Sequence, residues 1–312
     1  MSLFASLLAA VTIAYPRPNA QLPFVERCYF IGAVDKGVTE IEVAGHPVDV
    51  YRTGAWGTLV EVTEGTNVIA LTGVDRSGAV WATNVTLTVA ARPAPPPAGA
   101  SAPPPKVYEK LPYAADEPQG VPTNRAPGEI VVWLDPGHGG SDTGALSPHG
   151  FAEKEANLLT ALAVRDELRA RGFQVFMTRE RDVALELTER PRAAHEAKAD
   201  AFVSIHHNAP GIASDPVATR YASVYSWNPL GERLSQTVAA HLGAALASEL
   251  DSHGSLHANF AVTRSPQVPS CLVEVDFISS PAGEEAIWSS PRRSLVARAI
   301  ADGIAAWCRG ED

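Results

Sequence analysis

The sequence predicts an α/β fold, a mostly parallel twisted sheet with helices on both faces, preceded by a small all-β domain of the immunoglobulin-like sandwich kind. Three observations carry this expectation. From Glu129 onward, short apolar runs alternate with segments of helical periodicity, the pattern of strand-helix-strand units. Before Ala91, short runs alternate apolar with polar residues between turn residues, and helical periodicity is absent. Between the two lies a stretch dense in proline. The expected divisions are residues 1–90 for the β domain, 91–128 for a linker and 129–312 for the α/β domain.

In the first part, Ile41-Glu-Val43, Val48-Asp-Val50, Leu59-Val-Glu-Val62, Val68-Ile-Ala-Leu71 and Val85-Thr-Leu-Thr-Val89 read as strands. Gly45-His-Pro47, Gly54, Glu64-Gly65 and Asp75 to Gly78 supply turns, which places His46 in solvent. This spacing suits a small antiparallel sandwich. Ser2 to Ala14 is apolar but shorter than the roughly 20 residues that span a bilayer. It has the look of the apolar core of a secretory signal, yet no Lys or Arg precedes it. It reads equally as the first strand of the β domain, the alternative that Val11-Thr-Ile-Ala-Tyr15 slightly favours. The linker Ala91 to Pro105 favours extended polyproline II, which would hold the two domains apart.

In the second part, Ile130 to Leu134 is a buried strand, and the helix after Glu153 carries Leu158, Ala161, Leu162, Val164 and Leu168 on one face before Gly172 ends it. Phe173 to Thr178 is the next strand, and Thr188 is placed to cap a helix with Pro191 in its first turn. Strands are expected at Ala201 to His206, Tyr221 to Trp227, Phe260 to Arg264 and Cys271 to Phe277. Helices are expected over Leu230 to Leu250 and from Ser290-Pro291 onward, the last with Val296, Ile300, Ile304 and Trp307 buried.

Composition narrows the function. The chain has 312 residues, 46% of them hydrophobic, and a net charge of -10. That acidity argues against nucleic acid, which needs a basic footprint, and no stretch reads as a transmembrane anchor. Cys28, Cys271 and Cys308 are too few and too scattered for a disulfide framework and read as small buried side chains.

The chemistry gathers at strand ends. Asp135-Pro-Gly-His-Gly-Gly140 stops the first strand and folds glycines around His138. Ala201-Phe-Val-Ser-Ile-His-His-Asn-Ala209 also ends in histidine, and Cys271-Leu-Val-Glu-Val-Asp-Phe277 carries a carboxylate. In parallel α/β sheets functional groups collect beyond the carboxyl ends of strands, so His138, a histidine of the pair His206 and His207, and Glu274 read as one site. Neighbouring strand residues point to opposite faces, so only one of that pair faces it. Glu153, opening a helix, can turn back towards His138, with Asp135 or a backbone carbonyl fixing the imidazole tautomer. Two histidines and one carboxylate with an open fourth position make a catalytic zinc set, leaving Glu274 as base and acid. The plainer alternatives are a loop-bonded turn histidine at His138, helix-start acids at Glu153 and Glu155, and a Glu274 paired with Arg264 in the core. His149, His195, His241, His253 and His257 lack ligand spacing.

These segments, in this order, resemble the zinc-dependent N-acetylmuramoyl-L-alanine amidases of the amidase type 3 family. The matching pieces are Asp135-Pro-Gly-His-Gly-Gly140 with Asp142 and Gly144, Glu153-Lys154, Ser204-Ile-His-His-Asn-Ala209 and Leu272-Val-Glu-Val275, within residues 129–309. The resemblance implies one Zn²⁺ held by His138, Glu153 and His206, with Glu274 catalytic. Asp135, Asp142, His207, Asn208 and Arg264 are candidates for substrate or supporting contacts. Asp276 stands where the family pattern usually has Gly, and His207 where it commonly has Ala. The implied activity is cleavage of the amide between the lactyl group of N-acetylmuramic acid and the L-alanine of the stem peptide. The implied partner is peptidoglycan and the implied place is the cell envelope, periplasmic or secreted; for the β domain the sequence leaves open a glycan or wall contact, a protein partner or no ligand. The rival readings are a zinc peptidase or deacylase on another amide, and a non-catalytic wall-binding protein. Residues 209–220 are too short for a blocking helix, so an open cleft is expected.

Overall fold

A computed structural model describes residues 11–35, 37–94, 125–265 and 267–311. The proline-rich segment lies mostly outside the described residues, as do residues 2–10 of the apolar start.

Among the described residues, eight strands precede it. One sheet holds β1 (Val11–Tyr15), β3 (Arg27–Val34) and β6 (Ala55–Glu61) in the order β1-β3-β6. The other holds β2 (Ala20–Leu22), β4 (Val38–Val43), β5 (His46–Val48), β7 (Gly65–Asp75) and β8 (Val80–Val89) in the order β2-β8-β7-β4-β5. Alternate residues of the two sheets meet in a shared core that includes Phe30, Trp56, Leu71, Trp81 and Leu87. The β2–β8 pair is parallel, which departs from a purely antiparallel sandwich. His46 is exposed but belongs to a short strand rather than a loop.

The second part is built on one six-stranded sheet. Its strands are β9 (Val131–Pro136), β10 (Gln174–Met177), β11 (Ala201–Asn208), β12 (Ala222–Ser226), β13 (Ser252–His257) and β14 (Ser270–Phe277), in the order β10-β9-β11-β14-β12-β13. The helices are α1 (Glu153–Ala170), α2 (Glu189–Glu196), α3 (Pro229–Leu246), α4 (Pro281–Trp288) and α5 (Ser290–Arg309). On one face, α1, α3 and α5 cover a core of Val132, Leu134, Val203, Ile205, Val224, Val273 and Trp307. On the other, Phe202 and Leu272 pack with Ala194 of α2 and Val262. The three cysteines are buried and unpaired.

The sheet is mixed, which corrects the expectation of a mostly parallel one: β12 runs antiparallel to β14, and β13 follows β12. The cause is the connection. Residues 209–221 contain turns but no helix, so they do not carry the chain back to the starting edge, as a parallel neighbour would require. The chain re-enters from the edge where β11 ended.

Local corrections have local causes. Phe260 to Arg264 is not a strand but a 3-10 turn at Ala261–Thr263, tied by Thr263 Oγ1 donating to the Phe260 carbonyl (3.1 Å). The edge strand forms earlier, at β13. Thr188 precedes α2 but makes no side-chain cap. Helix α4 was not anticipated; Ser280 accepts from the Gly283 N–H and Pro281 opens the helix. The two parts also touch rather than stand apart. The Tyr29 N–H donates to the Ile212 carbonyl (3.0 Å), Ile212 packs on the β core, and Arg52 pairs with Glu285.

Candidate metal centre

The site forms where β9, β11 and β14 end. His138 follows β9 with a positive φ of 61°, a strained setting for a residue with a side chain. Two glycines make the room. A Cβ at Gly137 would stand 2.1 Å from the His206 ring, and one at Gly144 would meet Glu153 Oε2 at 2.5 Å and His138 Cδ2 at 2.7 Å. Those close approaches, rather than turn formation alone, account for these glycines.

Glu153 is the hub. As the first residue of α1 it is buried, and its carboxylate lies 3.2 Å from His138 Nε2 and 2.9 Å from His206 Nδ1. It also accepts from the Ala145 N–H (3.0 Å) and from Asn157 Nδ2 (3.0 Å). Burial pushes its pKa up, but the hydrogen bonds from the two imidazoles outweigh that and hold it well below the usual carboxylate range. Burial likewise disfavours charge on His138, yet Glu153 and then Asp142 raise it to about 9. Ligand atoms of His138, Glu153 and His206 all lie within 4.8 Å of one another, a candidate metal-binding triad.

The donor set of two imidazoles and one carboxylate is that of a catalytic zinc site. Tetrahedral bonds of about 2.0–2.2 Å place ligand atoms roughly 3.3 Å apart; the His138–Glu153 pair stands at 3.2 Å and the whole set within 4.8 Å. Asp142 Oδ2 sits 2.8 Å from His138 Nδ1. An ionised carboxylate only accepts, so that nitrogen carries the hydrogen and Nε2 is left for a metal.

Glu274 stands beside the triad. In the β11–β14 ladder it is the partner of His206, so both side chains leave the same face of neighbouring strands, about 4.8 Å apart. Both line one cavity of about 270 Å³, which His138, Glu153, His207, Asn208 and Phe260 also border. Glu274 Oε2 is shielded from solvent and has no hydrogen-bond partner among the described residues. Burial, then the charge of Glu153, raises its pKa well above the ordinary value.

A family profile described as N-acetylmuramoyl-L-alanine amidase, Amidase_3, matches residues 132–306. The chain belongs to this family. AmiC of Neisseria meningitidis, an N-acetylmuramoyl-L-alanine amidase, is 35% identical over 218 residues, which cover 56% of this chain and 51% of that protein. The chain thus spans about half the length of that relative. AmiA of Escherichia coli, another N-acetylmuramoyl-L-alanine amidase, is 34% identical over 57% of this chain and 75% of its own length. The catalytic domain of CwlV, an amidase from Bacillus (Paenibacillus) polymyxa var. colistinus, shares 32% identity at a TM-score of 0.54 and covers 57% of this chain and 97% of that one.

Within this Amidase_3 site the supporting candidates separate. Asp142 touches His138, whereas Asp135 does not. Asp135 is fully buried, accepting from Arg190 (2.9 Å), Thr178 (2.6 Å) and Ser204 (2.7 Å), so it is not placed to fix the imidazole or meet substrate. Arg264 donates to Asn259 rather than pairing with Glu274. Asn208 lines the cavity while accepting from the Ala209 N–H. His207 borders the cavity but its ring turns under α1, with Nδ1 2.8 Å from Asn157 Oδ1, and the residue is 1% exposed.

Sequence reasoning missed Arg179, Arg190 and Asn157. Arg179 donates to the carbonyls of Pro136 (2.9 Å) and Gly137 (2.8 Å), and Arg190 to those of Pro136 (3.0 Å) and His138 (2.8 Å). These guanidiniums satisfy the carbonyls of the glycine loop that its tight path turns inward. The only sequence signal was an arginine-rich stretch after β10, which reads as an ordinary solvated surface.

His207 gives a pH expectation. Burial depresses its pKa from 6.5 to about 3, so between those values the unfolded state binds the proton and the folded state does not. Stability therefore rises with pH across that window and is lost as pH falls, by up to about 1.4 kcal/mol per pH unit. In urea denaturation of the metal-free protein, the stability of the wild type relative to His207→Ala should rise with pH across this window.

Proposed function

We propose that this chain hydrolyses the amide between the lactyl group of N-acetylmuramic acid and the L-alanine of peptidoglycan stem peptides. It acts in the cell envelope, periplasmic or secreted, through a catalytic domain at residues 129–312, with residues 91–128 as linker and 1–90 as an accessory β domain. No described helix is long and apolar enough to cross a membrane. The observation that carries the reading is the convergence of His138, Glu153 and His206 within 4.8 Å, in the cavity that Glu274 also lines. The amidase names of the relatives support the choice of bond.

One zinc ion held by His138, Glu153 and His206 would supply an activated water and a polarised carbonyl. The chain does the rest. Asp142 keeps the His138 tautomer, and Arg179 and Arg190 hold the loop that presents it. Glu274 accepts the proton of the attacking water on its carboxylate and delivers it to the departing alanine nitrogen. Its raised pKa suits a group that must both take and give a proton. The absence of a helix in residues 209–221 supports a cleft open without a partner.

Digestion of purified peptidoglycan by the full chain should leave intact glycan strands bearing free lactyl carboxyls and release peptides with amino-terminal L-alanine. A chelator should abolish the reaction and added zinc restore it. Cleavage within the stem peptide would instead identify a peptidase, and zinc binding with no cleavage a wall-binding protein.

A further inference from the structure

Glu274 has a second neighbour on its own face of the sheet. In the antiparallel β12–β14 ladder its partner is Ser223, on the side away from His206. Directly opposed residues of an antiparallel pair carry their side chains on one face, with Cβ atoms about 4.5–5.5 Å apart. The three side chains thus form a row across β11, β14 and β12: metal-site histidine, carboxylate, hydroxyl.

Both members of the β12–β14 pair are anomalous. Ser223 is 1% exposed, and its Oγ has no hydrogen-bond partner among the described residues. Glu274 Oε2, opposite it, is equally shielded and equally unpartnered. Buried polar atoms left unsatisfied are costly, and each calls for a cause, a catalytic role among them. Other serines of the same sheet differ. Ser204 on β11 donates to Asp135, and Ser255 on β13 bonds to Ser235 of α3. Rotation about its Cα–Cβ bond moves the Ser223 hydroxyl with no backbone change, and the register sets it on the face of the carboxylate.

We infer that Ser223 is a positioning residue: its hydroxyl donates to the Glu274 carboxylate from the side opposite the metal triad and holds that carboxylate towards the attacking water. The terminal torsion of a glutamate is soft, so the plane of its carboxylate turns over a broad range. A donor on the far side holds one oxygen and fixes that plane with the other oxygen towards the water. Substrate does not touch Ser223 in this arrangement.

The inference rests on Glu274 as the proton carrier, so the experiment separates the two. In the zinc-loaded full chain acting on a soluble N-acetylmuramoyl peptide, Ser223→Ala should lower kcat on the order of tenfold with KM within about twofold. Ser223→Thr, which keeps the hydroxyl, should restore most of it. In a Glu274→Gln background, Ser223→Ala should cause no further loss, because its effect passes through the carboxylate. Full activity in Ser223→Ala, failure of Ser223→Thr to recover, or a loss that tracks lower Tm or zinc content would each overturn the inference. Full activity in Glu274→Gln would instead overturn the proposed function, and the inference with it.

Discussion

Glu274→Gln is expected to lower kcat by about 10²- to 10⁴-fold, the range for loss of a positioned acid-base group, while metal content matches that of the wild type. The amide keeps the shape of the carboxylate but takes no proton from water. Because Glu274 is not among the clustered ligand atoms, metal affinity should hold, which separates this variant from His138→Ala or His206→Ala. Stability supplies an independent check with a definite sign. Burial and Glu153 raise the pKa of Glu274 in the folded state, so above the ordinary carboxylate value of about 4.3 the folded protein binds more proton than the unfolded one. Stability from this group therefore falls as pH rises through that window. Removing the group should make metal-free Glu274→Gln more stable than the wild type at neutral pH, with the gap closing towards pH 4. Thermal melts at the two pH values measure it. A variant both fully active and no more stable would remove Glu274 from the chemistry.

The parts of this arrangement that sequence makes visible are those in which one residue breaks a local rule. A glutamate inside Cys271 to Phe277 and a histidine ending Ala201 to His206 stand out because apolar strands exclude charge without a reason. His138 stands out because three glycines surround it. Glu153 is readable from the start of its helix, although nothing local distinguishes it from Glu155, which the structure leaves exposed. What stays hidden depends on partners distant in sequence. Asp135 and Asp142 flank the same glycine loop, but only the fold decides that the second reaches His138 while the first goes to Arg190. The reversal of β12 depends on a connection that lacks a helix, and absence is a weak local signal. Arg179 and Arg190 look solvated until the loop carbonyls turn inward to meet them.

Asp276 shows how such a hidden partnership can be tested. It stands where the family pattern usually has Gly, two residues after Glu274, and is fully buried. Arg220 meets it through two bonds, Nε to Oδ1 at 2.9 Å and Nη2 to Oδ2 at 2.7 Å. Arg292 adds a third at 2.8 Å and continues to Glu249 at 2.9 Å. Asp276 also accepts from the Phe277 N–H at 2.8 Å. Removing the carboxylate alone strands one guanidinium and half-strands another in a low-dielectric setting, a change that typically costs about 3–5 kcal/mol. Since Arg292 keeps Glu249, Asp276→Ala should fall near the lower end, about 3 kcal/mol in urea denaturation. The small side chain is not what fails, because the family's usual glycine is smaller still; what fails is the loss of charge while its partners remain. Replacing the network together, as Asp276→Gly with Arg220→Leu and Arg292→Leu, should therefore recover most of the stability that the single variant loses. If Asp276→Ala alone proves neutral, the three groups are not energetically coupled, and the end of β14 beside Glu274 is held by the sheet itself.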